Sequence, residues 1–140
     1  MSYDTTTPEG AKALLDGSDG WTFLDVRTVE EFEAGHVPGA YNAPIAFRGP
    51  GGMELNDAFV PAVAAVFAPD TPLVLGCAAG VRSAHACEAL LAAGFTKLVN
   101  MDGGFSGSRT MPGWTACGLE VARECEPERA WSSLAARANG

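Results

Sequence analysis

One cysteine of this chain lies where a nucleophile would be placed. Cys77 directly follows the strand-like residues Leu73 to Gly76, and a helical pattern begins near Ser83. The short connection from Ala78 to Arg82 can curl its backbone N–H groups around the sulfur, and the helix N-terminus adds partial positive charge. Both effects favour the thiolate, which is the reactive form of cysteine. We therefore predict that Cys77 is a nucleophile.

The residues around Cys77 support the same interpretation. Gly80 gives the loop the backbone freedom that a tight curl requires, and Arg82 supplies a fixed positive charge. The remaining cysteines, Cys87, Cys117 and Cys125, lack this combination, and we interpret them as structural thiols.

The composition restricts the class of protein that carries this loop. With 140 residues and 47% hydrophobic residues, the chain suits one soluble globular domain, and no apolar run approaches the ~20 residues of a membrane span. The first residues show no secretion or organelle signal, so we expect a cytoplasmic protein. A net charge of −8 without any basic run argues against nucleic acid as a partner. The chain has two histidines and no CxxC pair, which argues against a metal site.

The elements that position Cys77 alternate between short apolar strands and helices. This pattern predicts an α/β fold with a mainly parallel sheet and helices on both faces. The predicted elements are a helix capped by Thr7 and closed by Gly17, a strand ending near Asp25, a helix with a Thr28–Glu31 capping box closed by Gly35, a turn and short strand after His36, a helix from Asn56 to Ala68, the strand Leu73–Gly76, a helix from Ser83 to Ala93, a strand within residues 97–101 and a terminal helix from near Pro127.

Residues 48–55 form a glycine-rich stretch that we interpret as a plain loop. They lack the GxxxxGK[ST] pattern, and no helix starts directly after the last glycine, so the stretch does not have the features of a phosphate-binding loop.

Several motifs in the same order along the chain resemble those of one family. The segment CAAGVRS fits C-x-x-G-x-R-S, FLDVRTVEEFEAGHVPGA fits the pattern LDVR…E[FY]…GHIPGA, and VNMDGGF and GWTACGLEV fit two later motifs. Over residues 7–121 the chain resembles single-domain rhodaneses, which are sulfurtransferases. The resemblance implies a rhodanese-like fold, a persulfide on Cys77, an anion cradle made by loop amides, and no metal or organic cofactor. The cradle positions are Ala78, Ala79, Gly80, Val81, Arg82 and Ser83.

The length of the loop separates two chemistries within that family. Members that resemble phosphatases or arsenate reductases have five residues between the cysteine and the arginine, whereas sulfurtransferases have four. Here four residues, Ala78 to Val81, separate Cys77 from Arg82. We therefore expect sulfur transfer from thiosulfate or a persulfide to cyanide or a thiol, which a protein can carry. A catalytically idle rhodanese-like binding module and a phosphatase or arsenate reductase are the alternatives.

Position 78 departs from many thiosulfate-using members. These members carry a Lys or Arg beside the cysteine, and here the residue is Ala78. We expect weak affinity for thiosulfate as a consequence.

Other residues are predicted to support the site. We expect Asp25 and Arg27 to form a structural ion pair that fixes the loop, and His36 to be a hydrogen-bonded turn residue. Phe47 and Arg48 are candidates for the rim of the pocket.

Two further segments have predicted places relative to the site. Phe105, Arg109 and Met111 belong to a long segment that is a candidate to overhang the site. We divide the chain into a rhodanese-like domain over residues 1–125 and a helical tail over residues 126–140. The tail is predicted to dock on the domain through Trp131, Leu134 and Ala138.

Overall fold

The computed structural model describes residues 2–139 of the chain. Its elements are, in chain order, β1 (Asp4–Thr6), α1 (Pro8–Asp16), β2 (Thr22–Asp25), α2 (Val29–Ala34), β3 (Tyr41–Asn42), β4 (Ala46–Gly49), β5 (Gly52–Leu55), α3 (Phe59–Val66), β6 (Leu73–Gly76), α4 (Val81–Ala92), β7 (Leu98–Met101), a short 3₁₀ helix (Pro127–Arg129) and α5 (Trp131–Asn139).

Five of the strands form one parallel sheet in the order β1-β7-β6-β2-β3. The buried strand β6 lies at the centre, where Leu73 pairs with Thr22 on one side and with Leu98 on the other. Because the strands are parallel, their carboxyl ends meet at the same edge of the sheet. Cys77, which follows β6, lies at that edge.

Helices cover both faces of the sheet, as the alternation of elements predicts. On one face, Leu24 and Leu75 belong to a buried cluster with residues of α3, α4 and α5. On the other face, Phe23, Val74 and Met101 belong to a second cluster with residues of α1 and α2. The predicted α/β fold with a mainly parallel sheet is confirmed.

Local capping signals position two helices at the predicted places. Thr7 accepts a hydrogen bond from the Gly10 N–H at 3.0 Å and starts α1, which ends before Gly17. Thr28 and Glu31 make the reciprocal bonds of the predicted capping box at the start of α2.

The structure corrects three predicted elements. The glycine-rich stretch is not a plain loop, because β4 and β5 form an antiparallel hairpin around residues 50 and 51. Helix α3 begins at Phe59 and ends at Val66, since the side chain of Asn56 bonds the Ala58 N–H and the Pro44 carbonyl oxygen instead of capping a helix. Helix α4 begins at Val81, two residues earlier than predicted.

Strand β1 was not predicted. It pairs with β7 at the edge of the sheet, and its three residues are polar and partly or fully exposed, so they lack the apolar pattern by which a strand is found in a sequence.

The C-terminal helix docks on the domain, which confirms the predicted contact. Leu134 is fully buried in the core cluster that includes Phe59, and Trp131 and Ala138 pack partly buried against the same cluster. Within residues 2–139, no helix combines the length and the apolar character needed to cross a membrane.

Candidate active site

Cys77 lies directly after β6 and is only 2% exposed. The Gly80 N–H donates a hydrogen bond to its Sγ at 3.0 Å. Gly80 has a φ of +112°, in the left-handed region, and this conformation turns its amide toward the sulfur at the start of α4. The start of the helix and the aligned amide both stabilise negative charge on Sγ.

Ser83 lies in the first turn of α4 and is fully buried beside the sulfur. Its Oγ is 3.4 Å from Cys77 Sγ and 2.5 Å from Asn100 Oδ1. Sequence reasoning did not single out Asn100. The sequence signal that could have found Asn100 is a polar residue near the carboxyl end of β7, a buried strand that neighbours β6. In the structure Asn100 is 6% exposed.

Arg82 forms an ion pair with Glu31, so it is not the unpaired cation that the sequence analysis placed in the loop. The guanidinium donates to the two carboxylate oxygens of Glu31 at 2.8 and 2.9 Å. The hydrogen bonds from Arg82 lower the pKa of Glu31 from 4.5 to about 2 against the opposing effect of burial, and the same bonds raise the pKa of Arg82. The sequence indicated Glu31 only as a helix-capping residue.

The segment after β7 packs against Cys77 and Ala78, the first residues of the loop between β6 and α4. The Phe105 N–H donates to the Cys77 carbonyl at 2.7 Å, and the Ser106 N–H donates to the Ala78 carbonyl at 2.8 Å. A side chain at Gly104 would clash with the carbonyl oxygen of Cys77, so this close approach requires glycine. The segment after β7 therefore holds the backbone of Cys77 and Ala78 in place.

The structure gives a position to each of the three residues of that segment that were candidates to overhang the site. The ring of Phe105 lies under the Arg27 guanidinium, 4.4 Å from its centroid, and packs against the core cluster that contains Trp114. Met111 packs near Gly103, and the Arg109 side chain is exposed.

Asp25 and Arg27 form the predicted ion pair, with an N–O distance of 2.7 Å between two buried side chains. The same Arg27 nitrogen also donates to the Gly35 carbonyl at 2.7 Å. The pair therefore fixes the end of α2. The backbone connects it to β6, because the Val26 N–H donates to the Gly76 carbonyl at 3.0 Å, next to Cys77.

Both ring nitrogens of His36 lie within hydrogen-bond distance of backbone carbonyl oxygens, which suits the predicted structural turn residue. Nδ1 lies 2.7 Å from the Phe32 carbonyl oxygen and Nε2 lies 2.9 Å from that of Glu124. Its ring also stacks on Phe32, with the centroids 3.9 Å apart. These contacts connect α2 to the segment that leads to the tail.

Phe47 and Arg48 of the hairpin border a cleft of about 660 Å³. The opposite side of the cleft is formed by α2 and its cap, including Glu31, the partner of Arg82. The two predicted rim residues thus face Glu31, which the ion pair with Arg82 connects to the start of α4.

None of the four cysteines, which all lie within the described residues, forms a disulfide. Burial raises the pKa of Cys87 to about 12, with nearby Glu88 and Cys77 adding to the effect. Burial also raises the pKa of Cys125. In residues 2–139 no group of three or more His, Cys, Asp or Glu side chains is arranged to hold a metal ion.

The comparisons with known proteins agree with this fold. The family model described as Rhodanese-like domain matches residues 7–110, and the chain belongs to this family. Relatives named thiosulfate sulfurtransferase support the assignment of this chain to the sulfurtransferase family.

Curated relatives from Arabidopsis thaliana include the following two. Rhodanese-like domain-containing protein 17 is 46% identical over 97 residues, which are 68% of this chain and 61% of the relative. Thiosulfate sulfurtransferase 16, chloroplastic, is 44% identical over 87 residues, which are 62% of this chain and 72% of the relative. The chain thus spans about two thirds of these relatives.

Among solved structures, the crystal structure of Rv0390 from M. tuberculosis matches with a TM-score of 0.74 and 26% identity. The match covers 88% of this chain and all of that one.

Proposed function

We propose that this protein is a sulfurtransferase that carries the transferred sulfur as a persulfide on Cys77. The observation that supports this most is the buried Sγ at the start of α4, which accepts the Gly80 N–H at 3.0 Å. The buried thiol of Cys87, which lies within α4, has a pKa raised to about 12, so it is not a thiolate at neutral pH.

In the first step, the Cys77 thiolate attacks the outer sulfur of a donor such as thiosulfate. A bond forms between Sγ and that sulfur, and the bond between the donor's two sulfur atoms breaks. The electron pair of the broken bond leaves with sulfite, or with a thiolate if the donor is a persulfide.

In the second step, cyanide or an acceptor thiolate attacks the outer sulfur of the Cys77 persulfide. The electron pair of the breaking bond returns to Sγ and restores the thiolate, so the cycle needs no external oxidant or reductant. The Gly80 amide stabilises the negative charge on Sγ before and after the cycle.

The surroundings of the loop favour a donor with less charge than thiosulfate. Position 78 carries no cation, and Arg82 is neutralised by Glu31. The cleft between α2 and the hairpin, which contains the partner of Arg82, is lined by Glu30 and Glu31 as well as Arg48. We propose a persulfide donor, with thiosulfate as a weakly bound substitute, and a thiol acceptor in the cytoplasm, where thiols stay reduced.

The test is thiocyanate formation from thiosulfate and cyanide. Wild type is expected to turn over, and Cys77→Ser is expected to be inactive because an oxygen nucleophile cannot form a persulfide. Cys117→Ser, a change at a half-buried cysteine outside the loop, is the matched control and should stay active. Turnover near wild type in Cys77→Ser would refute the proposed function.

A further inference from the structure

The Ser83 hydroxyl has one proton and three acceptors within reach. Its Oγ lies 2.5 Å from Asn100 Oδ1, 3.2 Å from the Gly80 carbonyl oxygen and 3.4 Å from Cys77 Sγ. A hydroxyl donates only one hydrogen bond, so these acceptors compete for the proton. The distances favour Asn100.

The orientation of the Asn100 amide is fixed by a second contact. Its Nδ2 donates to the Gly80 carbonyl at 3.4 Å. If the amide were reversed, its oxygen would face that carbonyl oxygen, and two acceptors would oppose each other. Oδ1 therefore points at Ser83, where it accepts the hydroxyl proton.

We propose that Asn100 is a positioning residue that holds the Ser83 proton away from the Cys77 sulfur and thereby sets the share of thiolate. With the proton directed to Asn100, a lone pair of Ser83 Oγ faces Sγ and can accept from the protonated thiol. The arrangement thus stabilises the thiol, while the Gly80 N–H stabilises the thiolate. This inference rests on the proposed function only in that Cys77 is the nucleophile.

Other charged and titratable groups surround the sulfur and are common to every variant in the test. Arg82 and Cys87 on α4 interact electrostatically with Cys77, and Arg82 also interacts with Asp25 at the end of β2. Glu31 of α2 neutralises Arg82, and Asp102 follows β7 beside Gly80. Because these groups are the same in every variant, a shift in the pH midpoint on replacing Asn100 is attributable to the Ser83 proton that Asn100 accepts.

The experiment measures the rate at which iodoacetamide alkylates Cys77 between pH 5 and 10, with the modified residue identified by peptide mass. In Asn100→Ala, the freed Ser83 hydroxyl can donate to the sulfur, because a thiolate is a charged acceptor and attracts the proton more strongly than the neutral Gly80 carbonyl oxygen does. We expect the midpoint of the rate profile to move down by about half to one pH unit, the size of one hydrogen bond. Asn100→Leu, which keeps the branched shape of the side chain, makes the same test if the alanine variant does not fold.

The control is the same substitution in a Ser83→Ala background. If Asn100 acts through Ser83, the downward shift disappears there, whereas a general loosening of the loop would persist. An upward shift in Asn100→Ala, or an equal shift with and without Ser83, would overturn the proposal. Alkylation needs no sulfur donor, so this result is independent of whether the protein transfers sulfur.

Discussion

The ion pair between Glu31 and Arg82 gives a prediction whose size and pH dependence follow from the structure. Glu31 accepts two hydrogen bonds from Arg82, and it also accepts the Thr28 N–H at 3.2 Å. Glu31→Gln keeps the shape of the side chain and removes its charge. We expect the variant to be less stable than wild type at pH 7.

The magnitude follows from the pKa of Glu31, which falls from 4.5 to about 2 in the folded protein. That difference corresponds to about 3 kcal/mol in favour of the charged form. The two side chains are about a quarter exposed, so solvent screens part of the interaction and we expect a loss of about 1–2 kcal/mol.

The sign of the pH dependence is fixed by the same pKa. The folded state binds the proton of Glu31 less tightly than the unfolded state, so the stabilisation is fully present above about pH 5 and disappears as the pH falls toward 2. The free energies of unfolding of wild type and variant should therefore converge over this range.

The assay is urea unfolding of both proteins at pH 7, 5, 4 and 3. Glu30→Gln is the matched control, because Glu30 lies in the same first turn of α2 and is exposed. A difference that stays constant from pH 7 to pH 3, or an equal effect in Glu30→Gln, would refute the reasoning.

Three further predictions concern the Cys77 loop, the segment that holds its backbone and the remaining cysteines. Ala78→Lys adds a cation at the loop, worth about 1 kcal/mol, and should raise kcat/KM for thiosulfate about fivefold at low salt, with a smaller gain at high salt; no change at any salt concentration would show that position 78 does not face the donor. Gly104→Ala should abolish turnover because its Cβ would lie 2.6 Å from the Ala78 carbonyl, while Gly118→Ala, also at positive φ but with open space, should retain it; equal activities would contradict this account. Changing Cys117 and Cys125 together to Ser should alter the thiocyanate rate less than about threefold, and a larger loss would make one of them a resolving thiol.

Some local signals in the sequence were sufficient to predict the structure. Thr28 and Glu31 are three residues apart, and their capping box depends only on the start of one helix. The loop from Cys77 to Arg82 is equally local, because a strand end, a glycine and a helix start follow one another directly.

Contacts between distant segments were beyond the reach of sequence patterns. Glu31 and Arg82 are 51 positions apart, and they meet because α2 and α4 start at the same edge of the sheet, after the neighbouring strands β2 and β6. Ser83 and Asn100 meet because β6 and β7 are neighbours in the sheet. The strands of the β4–β5 hairpin have four residues each, all of β5 is exposed and only Ala46 of β4 is buried, so too few buried apolar positions mark them in the sequence.

The intact mass of the protein after incubation with thiosulfate tests the central claim most directly. The persulfide on Cys77 predicts a gain of one sulfur atom in wild type, its loss on addition of cyanide, and no gain in Cys77→Ser. A wild-type protein whose mass does not change, or a gain that persists in Cys77→Ser, would contradict the account.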